Sequence, residues 1–194
     1  MNSGLRHGAA LLASMLLAGC ISLGGKVPEK LIALTPESVA PVGTSVSVTP
    51  GETLVVLDPV ADRRLDVQRV PVQIDDATVA YLKNATWVER PARQFRHLLV
   101  ETIRAKTGRY VMEGDHEATG KVVLSGRLLD MGYDARSQSV VVRFDALREE
   151  AGGATRTRRF EAIVSGISPK AESVAPALNK AANDVAAQVA EWAG

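Results

Sequence analysis

Cys20 is the single thiol in this 194-residue chain, and it stands directly after Leu17-Ala18-Gly19. A thiolate is a strong nucleophile and a ready acceptor of acyl groups. Beyond His7 near the start, two imidazoles could move protons, His97 and His116. His116 sits in Glu113-Gly-Asp-His-Glu117, an imidazole among three carboxylates. That composition suits a metal, but it equally suits a polar turn between strands, and we expect no metal there. His97 falls in the middle of a helical pattern beside its apolar stripe, where a helix flank or a satisfied core position accounts for it. Neither His-Glu-x-x-His nor Gly-x-Ser-x-Gly occurs. Ser125-Gly126 lies inside a strand pattern, where glycine marks a bulge or close packing rather than a nucleophile turn. Gly24-Gly25 and Gly152-Gly153 read as a linker and a turn, so nothing cradles phosphate. No catalytic residue and no cofactor are expected, and the chain reads as a non-enzyme.

Residues 1–19 explain the placement of Cys20. Arg6 supplies a basic start, Ala9 to Leu17 an apolar run, and Ala18-Gly19 the small residues before a cleavage point. The run is too short for a membrane-crossing helix, which needs about 20 apolar residues. Leu17-Ala18-Gly19-Cys20 resembles the bacterial lipobox. That resemblance implies cleavage after Gly19, diacylation of the Cys20 thiol and a third acyl chain on the new α-amine, palmitate-type chains that are covalent rather than a cofactor. Each buried CH₂ contributes about 0.8 kcal/mol, so two or three chains hold where one is marginal. Ile21, where an aspartate usually signals inner-membrane retention, favours the periplasmic face of the outer membrane, with the inner membrane as the alternative.

Once the leader and its one arginine are removed, acidic and basic side chains balance. No basic excess points to nucleic acid, and no acidic run points to a solvating tail. The remaining length fits a tether at 20–29 followed by a single domain at 30–194. Nine tether residues, Ile21 to Glu29, reach about 30 Å when extended, which keeps the domain close to the lipid.

The elements follow from periodicity. Lys30 to Leu34 is a short strand candidate, and 35–51, rich in proline, glycine, serine and threonine, is a loop. Thr53 to Asp58 reads as a buried strand. Val67 to Ile74 alternates, with Pro71 forcing an edge or a bulge. Thr78 to Leu82 and Ala85 to Val88 are short extended segments. Pro91 opens a helix to about 107 carrying Phe95, Leu98, Leu99 and Ile103 on one stripe, stopped by Gly108. Three strands follow, Lys121 to Met131, Ser139 to Arg148 and Arg158 to Val164, joined at Gly132-Tyr133-Asp134 and Ala151-Gly152-Gly153 as an antiparallel meander. A final helix spans about 173–192, with Ser173 as N-cap so that Pro176 stays in the first turn. Arg156-Thr-Arg158-Arg159 could meet anionic headgroups, but an exposed strand face paired with Glu149 and Glu150 is the simpler account. The sum is an α+β fold: an antiparallel or mixed sheet with two main helices packed on it.

In this order the chain resembles the auxiliary lipoproteins of ABC-type lipid-transport systems, the family of paraquat-inducible protein C. Lys30-Leu-Ile-Ala-Leu34, Thr53-Leu-Val-Val-Leu-Asp58 and Arg69-Val-Pro-Val72 match its early strands. Ala80-Tyr81-Leu82, then Trp87-Val-Glu-Arg-Pro91 and Phe95-x-x-Leu98-Leu99, match its most recognisable segment. Trp87-Val-Glu-Arg-Pro91 departs from the family's Trp-Ala-Glu-Pro-Leu, and the first strand lacks tyrosine. The resemblance implies a non-enzymatic adaptor working with an MCE-domain protein, a permease and an ATPase to move lipids or hydrophobic compounds. Tyr81 and Trp87 are the candidates for partner docking, though a core-capping Trp87 beside Pro91 is the preferred reading of that residue. A structural or assembly lipoprotein of the outer membrane is the competing reading.

Overall fold

The computed structural model describes residues 30–48, 53–114 and 122–194; Gly19, Cys20, the tether and His116 lie outside them. Strict alternation builds the centre of the sheet. In β7 (Ser139–Glu149) Val140, Val142, Phe144 and Ala146 are buried, while Val141, Arg143, Asp145 and Leu147 are half-exposed. β7 lies between β6 (Val122–Asp134) and β8 (Thr155–Ser165), antiparallel to both, as the meander pattern predicts. β6 is long enough to carry three short strands along its other side, all parallel to it: β1 (Leu54–Val56), β2 (Val60–Ala61) and β3 (Arg69–Gln73). β5 (Val111–Glu113) pairs outside β1, and β4 (Val79–Thr86) outside β3. The described residues thus form a mixed eight-stranded sheet with two helices, an α+β fold.

α1 (Pro91–Thr107) has proline in its first turn, and Gly108 closes it in the left-handed conformation at φ 66, both as the sequence predicts. Phe95, Leu98, Leu99 and Ile103 are buried beneath it, and Phe95 meets Phe144 edge-to-face with ring centroids 5.3 Å apart. α2 (Ala171–Ala193) buries Val174, Leu178, Val185 and Val189. Its buried alanines, Ala181, Ala182, Ala186 and Ala190, let it lie close to its neighbours. The two helices run in the same direction and their C-termini meet. Lys106 reaches Glu191 at 3.9 Å, and the Arg109 guanidinium donates to the Ala193 carbonyl at 3.3 Å.

Several expectations are corrected. Gly132-Tyr133-Asp134 is not a turn but the end of β6; the chain turns at 135–138, where Gln138 takes φ 49. The Tyr133 hydroxyl donates to the Ile167 carbonyl, and Gly132 faces the Pro71 carbonyl so closely that a Cβ would lie 2.5 Å from it. Pro71 does create a bulge, between Arg69 and Pro71, but β3 is paired on both sides and the edge is β4. The two short segments after Asp76 are one strand, β4, bent at Asn84, whose φ is 55. Lys30 to Leu34 reduces to a single bridge between Ile32 and Trp87. The last helix starts at Ala171 with Lys170 as N-cap, which leaves Pro176 inside it. Pro176 takes a donor from the Glu172 carbonyl, but both residues are exposed, so water can satisfy that oxygen.

Gly126 faces Ala146 in the β6–β7 ladder, where an added Cβ would sit 2.2 Å from the Asp145 carbonyl oxygen and 2.5 Å from the Phe144 ring. Backbone cannot yield there as a surface side chain would. Gly126→Ala is expected to lose about 1–3 kcal/mol, read as a lower urea midpoint. Gly152→Ala, in a turn with open space around it, should leave the midpoint unchanged.

Candidate functional site

Among the described residues, those singled out from the sequence do not converge. Trp87 has no exposed surface, so it offers a partner nothing to touch; it supports the core beside buried Pro91. Its indole Nε1 has no hydrogen-bond partner among the described residues. Tyr81 is half-buried on the β4 edge strand, with the Arg69 guanidinium 4.5 Å above its ring. His97 projects from α1 toward solvent between two carboxylates: Nδ1 lies 2.6 Å from Glu113 and Nε2 3.7 Å from Glu89. Arg96 is shared between Asp58 and Glu113. This is a helix-flank network, the plainer of the two readings of His97. The arginine run behaves likewise. Arg156 donates to Glu150 at 2.8 Å, Arg159 holds Asp145 through two bonds of 2.6 and 2.7 Å, and Arg158 lies over the Phe160 ring.

What the structure does assemble is a strap. Residues 34–40, expected to be the end of a short strand at Leu34 and plain loop from 35, cross the helical layer, and helix side chains hold their backbone. Gln94 accepts from the Leu34 N–H at 2.9 Å, Asn179 from Thr35 at 2.7 Å, Asn183 from Glu37 at 2.9 Å and Glu101 from Ala40 at 2.8 Å. Asn183 also donates to the Thr35 and Asn179 carbonyls, so this buried amide is fully used. Gln94 likewise donates to the Glu89 carbonyl. A buried amide on each helix was the available sequence signal, since asparagine and glutamine inside an apolar stripe need partners. The strap begins where the Ile32 N–H donates to the Thr86 carbonyl and Val88 donates back to Ile32. It is the part of the described chain nearest to residue 20 in sequence.

The face of the sheet away from the helices is a charge ladder. Arg143 bridges Asp130 and Glu161, Arg64 reaches Asp130, and Asp62 meets Arg127. Arginine and carboxylate alternate across β6, β7 and β8. Exposed pairs of this kind contribute about 0–1 kcal/mol each, so the ladder shapes a surface more than it holds the fold. Beside it a shallow groove of about 680 Å³ runs between Val60, Gly126, Leu147, Thr157 and Arg158. The hydrogen bond from Arg159 holds the Asp145 carboxyl below the ordinary carboxylate range, and Arg136 does the same for Asp134. Burial pushes Arg148 down from its usual value, partly offset by Glu150.

The family described as ABC-type transport auxiliary lipoprotein component matches residues 34–190, and the chain belongs to it. Two solved structures are similar in fold. One, a crystal structure of an uncharacterised protein, gives a TM-score of 0.66 at 14% identity, covering 85% of this chain and 100% of that one. The other, protein XCC0632 from Xanthomonas campestris, of the DUF330 family, gives 0.65 at 18% identity, covering 84% and 94%. No curated protein matches the chain in sequence.

Two outcomes test this geometry. Asn183→Ala leaves the Glu37 N–H and the Thr35 carbonyl without their partner; a loss of about 1–3 kcal/mol is expected, with faster amide exchange confined first to 34–40. The depressed Asp134 and Asp145 carboxyls mean that the unfolded chain binds more protons in acid. Their stabilisation is therefore present above the ordinary carboxylate range and is lost as pH falls through the folded values. Asp145→Asn should flatten that acid loss in urea midpoints taken across a pH series.

Proposed function

We propose that this chain is a lipid-anchored, non-catalytic adaptor of an ABC-type transport system, held by acyl chains on Cys20 after cleavage behind Gly19. The observation that carries the reading is the family match over 34–190 together with a single cysteine placed directly after Leu17-Ala18-Gly19. No helix among the described residues is long and apolar enough to cross a membrane. The anchor sits at the periplasmic face of the outer membrane, as Ile21 favours. The domain then hangs on a tether of at most about 30 Å, joined to the fold by the strap. Its partners are an MCE-domain protein, a permease and an ATPase, and its cargo is lipid or another hydrophobic compound. Energy comes from the ATPase; this chain positions and docks. Tyr81, half-exposed on an edge strand, is the docking candidate that keeps an accessible surface, with Trp87 supporting it from within.

Cys20→Ser is expected to move the protein from the membrane fraction to the soluble fraction with an unchanged thermal midpoint. Mass spectrometry of the native protein should find residue 20 acylated and residues 1–19 absent. Crosslinking from position 81 should recover the MCE-type protein. Recovery of outer-membrane assembly components alone would favour the structural-lipoprotein reading.

A further inference from the structure

Among the described residues β8 is an edge strand, paired with β7 and with no other strand. Its backbone polarity can be read from the surrounding bonds. At the hairpin the Glu150 N–H donates to the Ala154 carbonyl, which makes 150 and 154 a bonded pair. Bonded and non-bonded pairs alternate along an antiparallel ladder, so the even-numbered residues of β8 bond to β7 and the odd-numbered ones turn N–H and C=O outward. The far end agrees: Gln188 of α2 donates to the Glu161 carbonyl, an odd residue, at 3.4 Å. Around Phe160 the helix covers this edge, with Trp192 edge-to-face on the Phe160 ring at 5.7 Å. Thr155 to Arg159 carry no such cover, and all five residues are exposed. The outward backbone groups of Thr155, Thr157 and Arg159 are therefore open to another chain.

Charge decides which chain. Arg156 and Arg158 flank Thr157, and the pair in register with them is Arg148 and Ala146. Arg148 is itself 93% buried by exposure, so this end of the face is a guanidinium cluster with Glu150 as its shared carboxylate. A second copy of this chain fits badly. Antiparallel self-pairing about a two-fold centred anywhere from Arg156 to Arg159 sets arginine opposite arginine, and like charges directly opposite are destabilising. Arginine on an open edge thus rejects self-association while leaving the edge available to the opposite charge. On the other face, an added strand would lie against Thr157 and the groove beside Leu147 and Gly126.

We infer that Thr155–Arg159 of β8 receives an extended segment of a partner protein as an additional strand, with acidic residues opposite Arg156 and Arg158 and apolar residues facing the groove. This rests on the adaptor reading for the existence of a protein partner, and it names that partner's chemistry.

The test uses the full, lipidated protein in detergent micelles and a short fluorescent peptide that alternates glutamate and valine. Binding followed by anisotropy is expected, weakening as salt rises. Arg156→Glu with Arg158→Glu should weaken it at least about tenfold, the size of one or two charge-assisted contacts. Lys180→Glu, on α2, should not. Thr157→Pro, which removes an outward N–H at an edge where proline is tolerated, should weaken it as well. A peptide N-methylated at alternate residues tests the same hydrogen bonds without touching the protein's fold, and should fail to bind. Equal binding of a lysine–valine peptide, equal binding of the N-methylated peptide, or no binding of the glutamate–valine peptide would each overturn the proposal. No membrane or transport partner enters this assay. Failure here leaves the adaptor reading standing, while failure of Cys20→Ser to leave the membrane removes that reading and is distinguishable from failure here, because the peptide assay reports on the β8 edge alone.

Discussion

Burial of the inner face of β6, β7 and β8 is the constraint from which the rest of this structure follows. Val140, Val142, Phe144, Leu124, Leu128 and Phe160 have almost no exposed surface, and a sheet face this apolar must be roofed. Two helices do it. The strap meets Gln94 then Glu101 on one and Asn179 then Asn183 on the other, so they lie parallel, and their C-termini converge on Ala193 and Thr107. Convergence there brings negative helix ends together, and Lys106 and Arg109 stand at that point, one beside Glu191 and the other on the Ala193 carbonyl.

Parallel neighbours leave a seam on their outer side, and the strap fills it. The strap has no regular secondary structure, so its backbone groups must find partners elsewhere. Gln94 and Glu101 from α1 and Asn179 and Asn183 from α2 supply them. The four side chains act on backbone rather than on side chains, so they fix a path while leaving the strap's own side chains free to vary. Its one valine, Val39, remains exposed, as do Val42 and Val46 just after it, which fits a segment held by hydrogen bonds rather than by burial. Any pull on the chain ahead of the strap would enter the fold here and be shared by both helices.

The architecture was readable in the sequence wherever one period ran long. The stripe of α1, its proline start and glycine stop, and the alternation of β7 needed no tertiary information. What escaped notice was decided by tertiary pairing. β2 is a short strand that exists because β6 extends past β1 and offers unpaired backbone, and β5 is one that exists because β1 leaves its outer edge open. Gly132-Tyr133-Asp134 has turn composition, yet the approach of Pro71 requires a glycine inside the strand, and Ile167 requires the tyrosine hydroxyl. Pro176 reads as a helix boundary because a buried helix could not tolerate it, but its surroundings are wet. The strap was invisible because loops declare themselves by proline and glycine, while their partners, Asn179 and Asn183, lie some 140 residues away in sequence. Trp87 shows why residue type alone leaves two readings open, since large aromatics signal contact surfaces and core equally and burial separates them, here in favour of the core.

The two faces of the sheet solve opposite problems. The inner face is apolar and carries the stability of the fold. The outer face is laid out as alternating arginine and carboxylate, worth little in stability but dense enough to forbid casual apolar association. The same logic applies to the open stretch of β8, whose charged side chains Arg156, Arg158 and Arg159 are all of one sign: an open edge must refuse identical neighbours, and arginine does so while alternating charges would not. Selectivity at this edge therefore comes from what it repels, and a partner is defined as the strand able to neutralise it.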